Sequence, residues 1–403
     1  MKHLIILGDG MADEPIEALG GKTPLMAANT PTLDFLASKS RLGTLVTTPA
    51  GYEPGSEIAH LSLLGYDVPK VFEGRGSLEA ASMGVDIESD EMALRCNIIC
   101  IENGNIKNHS AGNISTEEAD ILIQYLNENI GEDSARFFTG ISYRHLLKIR
   151  GGNKNIICTP PHDVPGTPFR DCLVKAKSEE GEATATLINR MILRSQELLS
   201  KHPINLARIA RGEDPANSIW PWSPGYKPSM ETLATKFGIK NGVVISAVDL
   251  IKGIGVYCGL KPIDVEGATG LWNTNYEGKA DAAIQALKDG ADFVFLHIEA
   301  SDEAGHEGDT DLKVKTIEYL DKRVCRRILD ALPEIGEPVA IAVLPDHPTP
   351  CAKRTHSATP VPVMIYVPGV KSDTIMQYNE ETALSGSLGK MKNDDFIKLF
   401  LSK

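Results

Sequence analysis

The sequence predicts an α/β protein in which a sheet domain built from both chain ends is interrupted by a second, smaller α/β domain. Three observations support this prediction. The 403 residues exceed what one hydrophobic core usually supports. Apolar strand-like runs alternate with amphipathic helix-like segments near both ends, as in parallel α/β sheets. The centre has its own short strands and helices. We assign residues 1–87 and 236–403 to the first domain and 88–235 to the insertion.

The N-terminal elements follow from their apolar patterns. HLIILGD is typical of a buried strand, TPTLDFLASKS of an amphipathic helix that begins with Thr and Pro, and RLGTLVTTP of a second strand. PGSEIAHLSLLGYD predicts a turn followed by a short helix whose first residues are Ser56 and Glu57.

The insertion and the C-terminal part each carry further elements. In the insertion we predict the strands ALRCNIICIENG, RHLLKIR and KNIICTP and the helices STEEADILIQYLNENI and EATATLINRMILRSQELLSK. The stretch 211–229, rich in Pro, Gly and Trp, indicates a boundary or a loop. After it we predict the strands GVVISAVD, DFVFLHIE, VAIAVLPD and VPVMIYVPG, separated by the helices GKADAAIQALKDG and VKTIEYLDKRVCRRILDAL.

Composition limits the function classes. The net charge of -13 argues against a broad nucleic-acid interface, although a few local cations still permit a small anionic substrate. The seven cysteines form no C-x-x-C pair, which indicates reduced thiols. The N-terminal apolar run is too short for a membrane span, and no long heptad pattern indicates a coiled-coil oligomer. We expect a cytoplasmic, monomeric enzyme that binds neither nucleic acid nor membrane.

Asp and His residues follow several of the predicted strands. A single Asp at a strand end is usually a turn cap, and an acidic loop with one His is common. Ligands of parallel α/β sheets, however, collect at the carboxyl ends of the strands, where these segments meet. Carboxylate and imidazole donors suit Mn, Zn or Mg, and their number exceeds the needs of one ion. The donors after the strands are Asp9, Asp302, His306, Asp346, His347 and His356.

Ser56 is the candidate nucleophile. A Ser at a helix start lies among free backbone N–H groups, which suits an anion. It could equally be an ordinary helix cap. A neutral serine is a weak nucleophile that metal coordination would activate, so its role depends on the Asp and His residues.

The sequence resembles the 2,3-bisphosphoglycerate-independent phosphoglycerate mutases of the archaeal type, which belong to the alkaline phosphatase superfamily. The resemblance is carried, in order, by ILGDGMAD, EALGGKTPL, TPTLDFLA, PGSEIAHLSLLGYD, GRGSLEA, SDEAGHEGD, PDHPTP and THSATPVPV. It implies an alkaline-phosphatase-like three-layer αβα domain and an inserted transferase-like domain that closes over a phosphoglycerate. It also implies that Ser56 is transiently phosphorylated and that the site holds two divalent ions. Mn is the first candidate for these ions, and Zn, Co and Mg are the alternatives. One ion would be held by Asp9, Ser56, Asp346 and His347, the other by Asp302, His306 and His356.

Substrate contacts are expected mainly from the insertion and its borders. The candidates, each of which could instead be a surface or cap residue, are His109, Arg144, Asp163, Arg211 and Lys252. Two stretches depart from the family pattern: NHSAG stands where a basic DRRAG-like stretch is usual, and GSLEA has Ser-Leu in place of Pro-Phe. These departures concern the substrate rather than the metals.

Two other functions stay open on the sequence. With another acceptor, the same machinery would be a phosphatase or a homoserine kinase-like transferase; the absence of a Walker A loop disfavours a nucleotide donor only modestly. A metal-stabilised binding protein without activity would be expected to have lost the nucleophile or a ligand, and all seven positions are intact.

Overall fold

The computed structural model describes residues 1–402 and contains two compact units. The first unit comprises residues 1–72 and 229–403, and the second comprises 73–228. Each unit has its own buried apolar core.

The strands are short and most are buried. They are β1 (Lys2–Gly8), β2 (Arg41–Val46), β3 (Glu91–Glu102), β4 (Asn105–Asn108), β5 (Ala135–Phe138), β6 (Arg144–Arg150), β7 (Ile156–Ile157), β8 (Lys175–Ala176), β9 (Ser218–Tyr226), β10 (Gly242–Ile245), β11 (Lys261–Ile263), β12 (Phe293–Ile298), β13 (Val339–Leu344), β14 (Val361–Tyr366) and β15 (Gly389–Lys392).

The helices range from single turns to five turns. They are α1 (Pro24–Ala27), α2 (Pro31–Ser38), α3 (Ser56–Leu63), α4 (Val68–Val71), α5 (Arg75–Ser82), α6 (Thr116–Ile130), α7 (Glu182–Leu199), α8 (Pro203–Ala210), α9 (Leu233–Phe237), α10 (Asp249–Tyr257), α11 (Tyr276–Lys288), α12 (Ala300–Glu307), α13 (Thr310–Tyr319), α14 (Arg326–Ile335), α15 (Glu380–Ala383) and α16 (Asp395–Leu401). A π-helical segment, Leu320–Cys325, joins α13 to α14. Among residues 1–402, no helix has the length and apolar character that crossing a membrane requires.

The first unit is organised around an eight-stranded sheet. Its order is β11-β10-β12-β1-β13-β14-β2-β15. The strand β1 pairs in parallel with β12 on one side and with β13 on the other. The α/β fold class is therefore confirmed, and the central strand does come from the N-terminus while its neighbours come from the C-terminal part.

The apolar faces of these strands form the core of the first unit. Leu4 and Ile6 of β1 are buried with residues of α2, α11, α13 and α14, which have apolar side chains at helical spacing. Because β1, β12 and β13 are fully buried, their sequences are nearly continuous apolar runs.

The second unit contains an antiparallel sheet packed with helices. Strand β3 pairs with β4, β6 and β9, and β5 extends the sheet beyond β6. The helices α6 and α7 contribute buried residues to the core of this unit, among them Leu122, Ile123, Ile188 and Ile192.

Three details differ from the sequence predictions. The compact units divide at 72/73 and 228/229, whereas the predicted boundaries were 87/88 and 235/236, because α5 packs against β3 and β9. The Pro-rich stretch contains strand β9 rather than only a loop, and its register shifts where it pairs with β3. The main sheet is mixed, since β14 is antiparallel to both β13 and β2.

Candidate metal centre

Three aspartates lie at the carboxyl ends of three adjacent strands. Asp9 directly follows β1, Asp346 lies two residues after β13, and Asp302 is in the first turn of α12, just after β12. Their burial is almost complete. The topology therefore brings together side chains that are almost 340 residues apart in the sequence.

His347 lies between Ser56 and two of these aspartates. Its Nε2 atom is 3.2 Å from Oγ of Ser56, 3.2 Å from Oδ2 of Asp346 and 3.6 Å from Oδ1 of Asp9. Ser56 is the first residue of α3, so its hydroxyl lies at the positive end of that helix. The candidate nucleophile, Ser56, thus lies in one site with three candidate metal ligands, Asp9, Asp346 and His347.

Asp302, His306 and His356 form a neighbouring group. Nε2 of His306 is 3.2 Å from Oδ2 of Asp302, and Nε2 of His356 is 3.5 Å from Oδ1. The two Nε2 atoms are 3.0 Å apart. The helix α12 explains the first contact, because residues four positions apart lie on one helical face.

Close backbone packing holds these two groups against each other. Gly305 of α12 lies so near the loop after β13 that a Cβ atom there would be 2.3 Å from the carbonyl oxygen of Thr349. The Thr349 hydroxyl donates to Oδ1 of Asp302 at 2.5 Å and lies 3.2 Å from Nδ1 of His347. Glycine at 305 is therefore needed for the approach of α12 to the His347 loop.

The charges of the two groups differ. Burial and the carboxylates of Asp346, Glu299 and Asp302 raise the pKa of Asp9 well above its usual value. Burial also disfavours the charged form of Asp302, but hydrogen bonds from His306 and His356 keep its pKa well below the usual range. The hydrogen bond between His306 and Asp302 raises the pKa of His306 to about 9. Burial, in contrast, lowers the pKa of His347.

The residues fit divalent metal ions. Oδ1 of Asp9 and Oδ2 of Asp346 are buried and have no hydrogen-bond partner among residues 1–402, which is costly unless a cation compensates them. Donor atoms of Asp9, Asp346 and His347 lie within 4.8 Å of one another, as do those of Asp302, His347 and His356. Such oxygen and imidazole sets suit Mn, Zn or Mg.

Several polar residues at the centre were missed in the sequence analysis. Nε2 of His297 is 2.8 Å from Oδ2 of Asp9, and Glu299 completes a third group with these two residues. Nδ1 of His60 is 2.7 Å from the carbonyl oxygen of Ser56. The signal for His297 was a histidine inside an otherwise apolar, fully buried strand.

The predicted substrate residues are distributed over both units. His109, Arg144 and Asp163 belong to the second unit, and Lys252 on α10 belongs to the first, where its Nζ atom is 2.5 Å from Asp264. Arg211 is exposed after α8 and is bound by Glu118 and Glu213. Arg211 is thus already engaged by carboxylates.

The second unit contains a group of arginine, histidine and aromatic side chains near two of the predicted substrate residues, His109 and Arg144. The guanidinium of Arg95 lies 4.3 Å from the ring centroid of Trp222, and His162 packs on the same indole. Arg95 and Arg75 share one carboxylate, since their Nε atoms are 3.0 and 3.2 Å from the two oxygens of Glu79.

The predicted substrate residues His109 and Arg144 belong to the same group. His109 lies 6.0 Å from His162 and 5.5 Å from Tyr143, ring centroid to ring centroid. Burial lowers the pKa of Arg95, and the positive charges of Arg75 and Arg144 lower it further, although Glu79 opposes both. We call Arg75, Arg95, His109, Arg144 and His162 the cationic cluster.

The main sheet and the buried donors at its carboxyl edge define an α/β protein with a site suited to divalent metals. Residues 37–205 match the family model of the 2,3-bisphosphoglycerate-independent phosphoglycerate mutases. A protein of that name from Methanosarcina acetivorans is 47% identical over 404 residues, which cover 100% of both chains. The chain belongs to the 2,3-bisphosphoglycerate-independent phosphoglycerate mutases, a family of isomerases.

Three further proteins are similar to this chain. A protein from Geobacter sulfurreducens, named as a probable mutase of the same type, is 44% identical over 96% of both chains. Among solved structures, the PH0037 protein of Pyrococcus horikoshii superposes with a TM-score of 0.83 at 32% identity, covering 100% of this chain and 98% of that one. The cofactor-independent phosphoglycerate mutase of Thermoplasma acidophilum gives 0.66 at 28% identity, covering 99% and 98%.

Proposed function

We propose that this enzyme interconverts 3-phosphoglycerate and 2-phosphoglycerate through a phosphorylated Ser56, without bisphosphoglycerate. The observation that carries the proposal is the position of Ser56, at the start of α3 and 3.2 Å from His347 within the buried Asp and His groups. The names of relatives such as the Methanosarcina acetivorans protein support the same reaction.

We propose that the centre holds two divalent ions, with Mn the first candidate and Zn, Co or Mg as alternatives. Asp9, Ser56, Asp346 and His347 would hold one ion, and Asp302, His306 and His356 the other. When bound, the ions would activate the serine hydroxyl and compensate the negative charge of the phosphoryl group. The unpartnered oxygens of Asp9 and Asp346 support this assignment.

The proposed reaction has two matched halves. Oγ of Ser56 forms a bond to phosphorus as the bond from phosphorus to the C3 oxygen of glycerate breaks. The proton lost by the serine is balanced by the proton gained at that oxygen. After the glycerate reorients, its C2 oxygen takes the phosphoryl group, and Ser56 regains a proton. The N–H groups at the start of α3 are suited to hold the phosphoryl oxygens.

We propose that the cationic cluster binds the anionic glycerate. The two guanidinium groups of Arg75 and Arg95 share a single carboxylate, so the cluster keeps an excess positive charge in a protein with net charge -13. An Arg side chain binds carboxylates in a fixed, two-pronged geometry. We retain His109, Arg144, Asp163 and Lys252 as substrate residues. Arg211 also stays a candidate substrate residue; like Lys252, which is paired with Asp264, it is paired with carboxylates in this structure, those of Glu118 and Glu213.

The experiment is to incubate Mn-loaded protein with 3-phosphoglycerate, without bisphosphoglycerate or nucleotide, and to follow the products by phosphorus NMR. We expect 2-phosphoglycerate with little free phosphate. Ser56→Ala should abolish the conversion, whereas Ser38→Ala, at the half-buried end of α2, should leave it unchanged. Mass spectrometry of acid-quenched wild-type protein should detect phosphate on Ser56.

Two results would count against the proposal. Turnover by a folded Ser56→Ala protein would exclude the phosphoserine route. Free phosphate as the main product would identify a phosphatase instead of a mutase.

We further propose that the enzyme is a cytoplasmic monomer. All seven cysteines are unpaired, as expected in a reducing compartment, and each unit buries its own core. Sedimentation of the purified protein would test the oligomeric state.

A further inference from the structure

His297 lies between a serine and a candidate metal ligand. It is fully buried on β12. Its Nδ1 atom is 3.0 Å from Oγ of Ser246, and its Nε2 atom is 2.8 Å from Oδ2 of Asp9. The imidazole thus connects the end of β10 to the end of β1.

The partners of His297 on its two sides fix which ring nitrogen carries the proton. An ionised Asp9 carboxylate can only accept a hydrogen bond, so the ring proton lies on Nε2. The hydroxyl of Ser246, whose Oγ accepts the backbone N–H of Val248 at 3.0 Å, then donates to Nδ1. That proton is directed at Asp9, because Oε2 of Glu299 is farther, at 3.3 Å, and has no hydrogen-bond partner.

We propose that His297, held in one tautomer by Ser246, is a positioning residue that fixes the carboxylate of Asp9. Oδ2 accepts the Nε2–H of His297, so Oδ1 is left to bind metal. Oδ1 is buried without a partner and lies 3.6 Å from Nε2 of His347. The inference rests on the proposed function in one respect, namely that Asp9 binds a metal ion.

Hydrogen bonds hold the backbone of Asp9 in place, so only the side-chain torsion angles of Asp9 can change. The N–H of Asp9 donates to the carbonyl oxygen of Ile298 at 2.9 Å, and the hydroxyl of Ser301 donates to the carbonyl oxygen of Asp9 at 2.6 Å. A hydrogen bond to Oδ2 therefore selects one orientation of the carboxylate. Partners of this kind commonly change metal affinity by about 10- to 100-fold when removed.

The test is Mn²⁺ titration of metal-free protein, with free Mn²⁺ followed by electron paramagnetic resonance. His297→Met removes the donor and should weaken one Mn²⁺ binding step, the same one that Asp9→Asn weakens, by about 10- to 100-fold. His297→Gln places an amide N–H near the position of Nε2 and should recover most of the affinity. Ser246→Ala releases the tautomer and should give an intermediate loss. His145→Gln, at a buried histidine of the second unit, is the matched control and should bind like wild type.

The outcomes separate this inference from the proposed function. Wild-type Mn²⁺ affinity in folded His297→Met protein would overturn the positioning role, and so would His297→Gln binding as weakly as His297→Met. A third ion per chain that is lost in His297→Gln would show that Nε2 is itself a ligand, which also overturns it. Asp9→Asn is the reference: if Asp9→Asn binds Mn²⁺ normally, the proposed metal assignment fails independently of His297. Circular dichroism of each variant checks that it is folded.

Discussion

At the scale of single residues, Arg95 is an unusual charge outside the candidate metal centre. Its guanidinium is largely buried against Trp222, and its only carboxylate contact within residues 1–402, Glu79, is shared with Arg75. A buried and incompletely compensated cation is expensive for folding. Its retention is explained if an anionic substrate completes the compensation.

Arg95→Met should therefore weaken substrate binding. We expect KM for 3-phosphoglycerate to rise about 10- to 100-fold, since a hydrogen bond to a charged group contributes about 1.5–3 kcal/mol. Mn²⁺ affinity should not change, and Glu79 keeps Arg75 as a partner. Steady-state kinetics would measure the effect, with Arg136→Met, at an exposed arginine on β5 of the same unit, as the control. An unchanged KM in Arg95→Met would remove Arg95 from the substrate site.

The predictability of the centre also differs from residue to residue. Asp9, Asp302 and Asp346 could be placed together from the sequence, because each follows an apolar strand whose end must lie at one sheet edge. His297 could not, because a single histidine within a buried strand is more often a satisfied core residue. Arg75 was noticed only as part of a family motif, since nothing local shows that α5 and β3 share one carboxylate.

At the scale of secondary structure elements, the structure differs from the sequence predictions where packing overrides local sequence. Gly76 lets α5 lie directly on the backbones of β3 and β9: a Cβ atom there would be 2.4 Å from the carbonyl oxygen of Ala93 and 2.6 Å from that of Ser223. This contact assigns α5 to the second unit, and no periodicity reveals it. Strand β9 was hidden by Pro221 and Pro224, which edge strands tolerate because their outer N–H groups need no partner.

His145 on β6 gives this strand a pH-dependent contribution to stability. Burial lowers the pKa of His145 to about 3, against about 6.5 in an unfolded chain. Between these values the unfolded state binds a proton that the folded state does not, so stability falls as the pH decreases from 6.5 towards 3.

His145→Asn should make this fall less steep. The variant keeps an acceptor near Nδ1 for the N–H of Gly140 but cannot be protonated in this range. As the pH decreases within this window, the free energy of unfolding should fall less in the variant than in the wild type. The difference in slope should be up to about 1.4 kcal/mol per pH unit. Urea unfolding at pH 7 and pH 5 would measure it. An equal difference between the two proteins at both pH values would contradict the assignment.

At the scale of the whole molecule, the alternation of strands and helices at both chain ends was enough to predict a shared sheet. The antiparallel direction of β14 was not predicted, because VPVMIY has the same apolar pattern in either direction. The connection from β13 to β14 contains His347 and His356 but no helix. Parallel strands usually need a helical crossover, so the missing helix was a usable signal.

Metal binding should also stabilise the protein. The clustered carboxylates of Asp9, Asp302 and Asp346 repel one another when ionised, and bound cations relieve this repulsion. Mn²⁺ at a hundredfold excess over its Kd should add about 2.7 kcal/mol for one site, and chelation should reverse the effect. Calorimetry with Mn²⁺ and with chelator would show it as a change in Tm. If Asp302→Asn gains as much from Mn²⁺ as wild type does, Asp302 is not a ligand.

The central position of β1 has a consequence for biosynthesis. The strand leaves the ribosome long before its hydrogen-bonding neighbours, which are residues 293–298 and 339–344. The second unit, residues 73–228, is continuous and can complete its sheet during translation, while HLIILG stays unpaired until most of the chain has been made. Such a segment is exposed to aggregation in the nascent chain. The sheet that carries the candidate metal centre thus forms after the second unit can be complete, and β1 is the segment that molecular chaperones would need to shield.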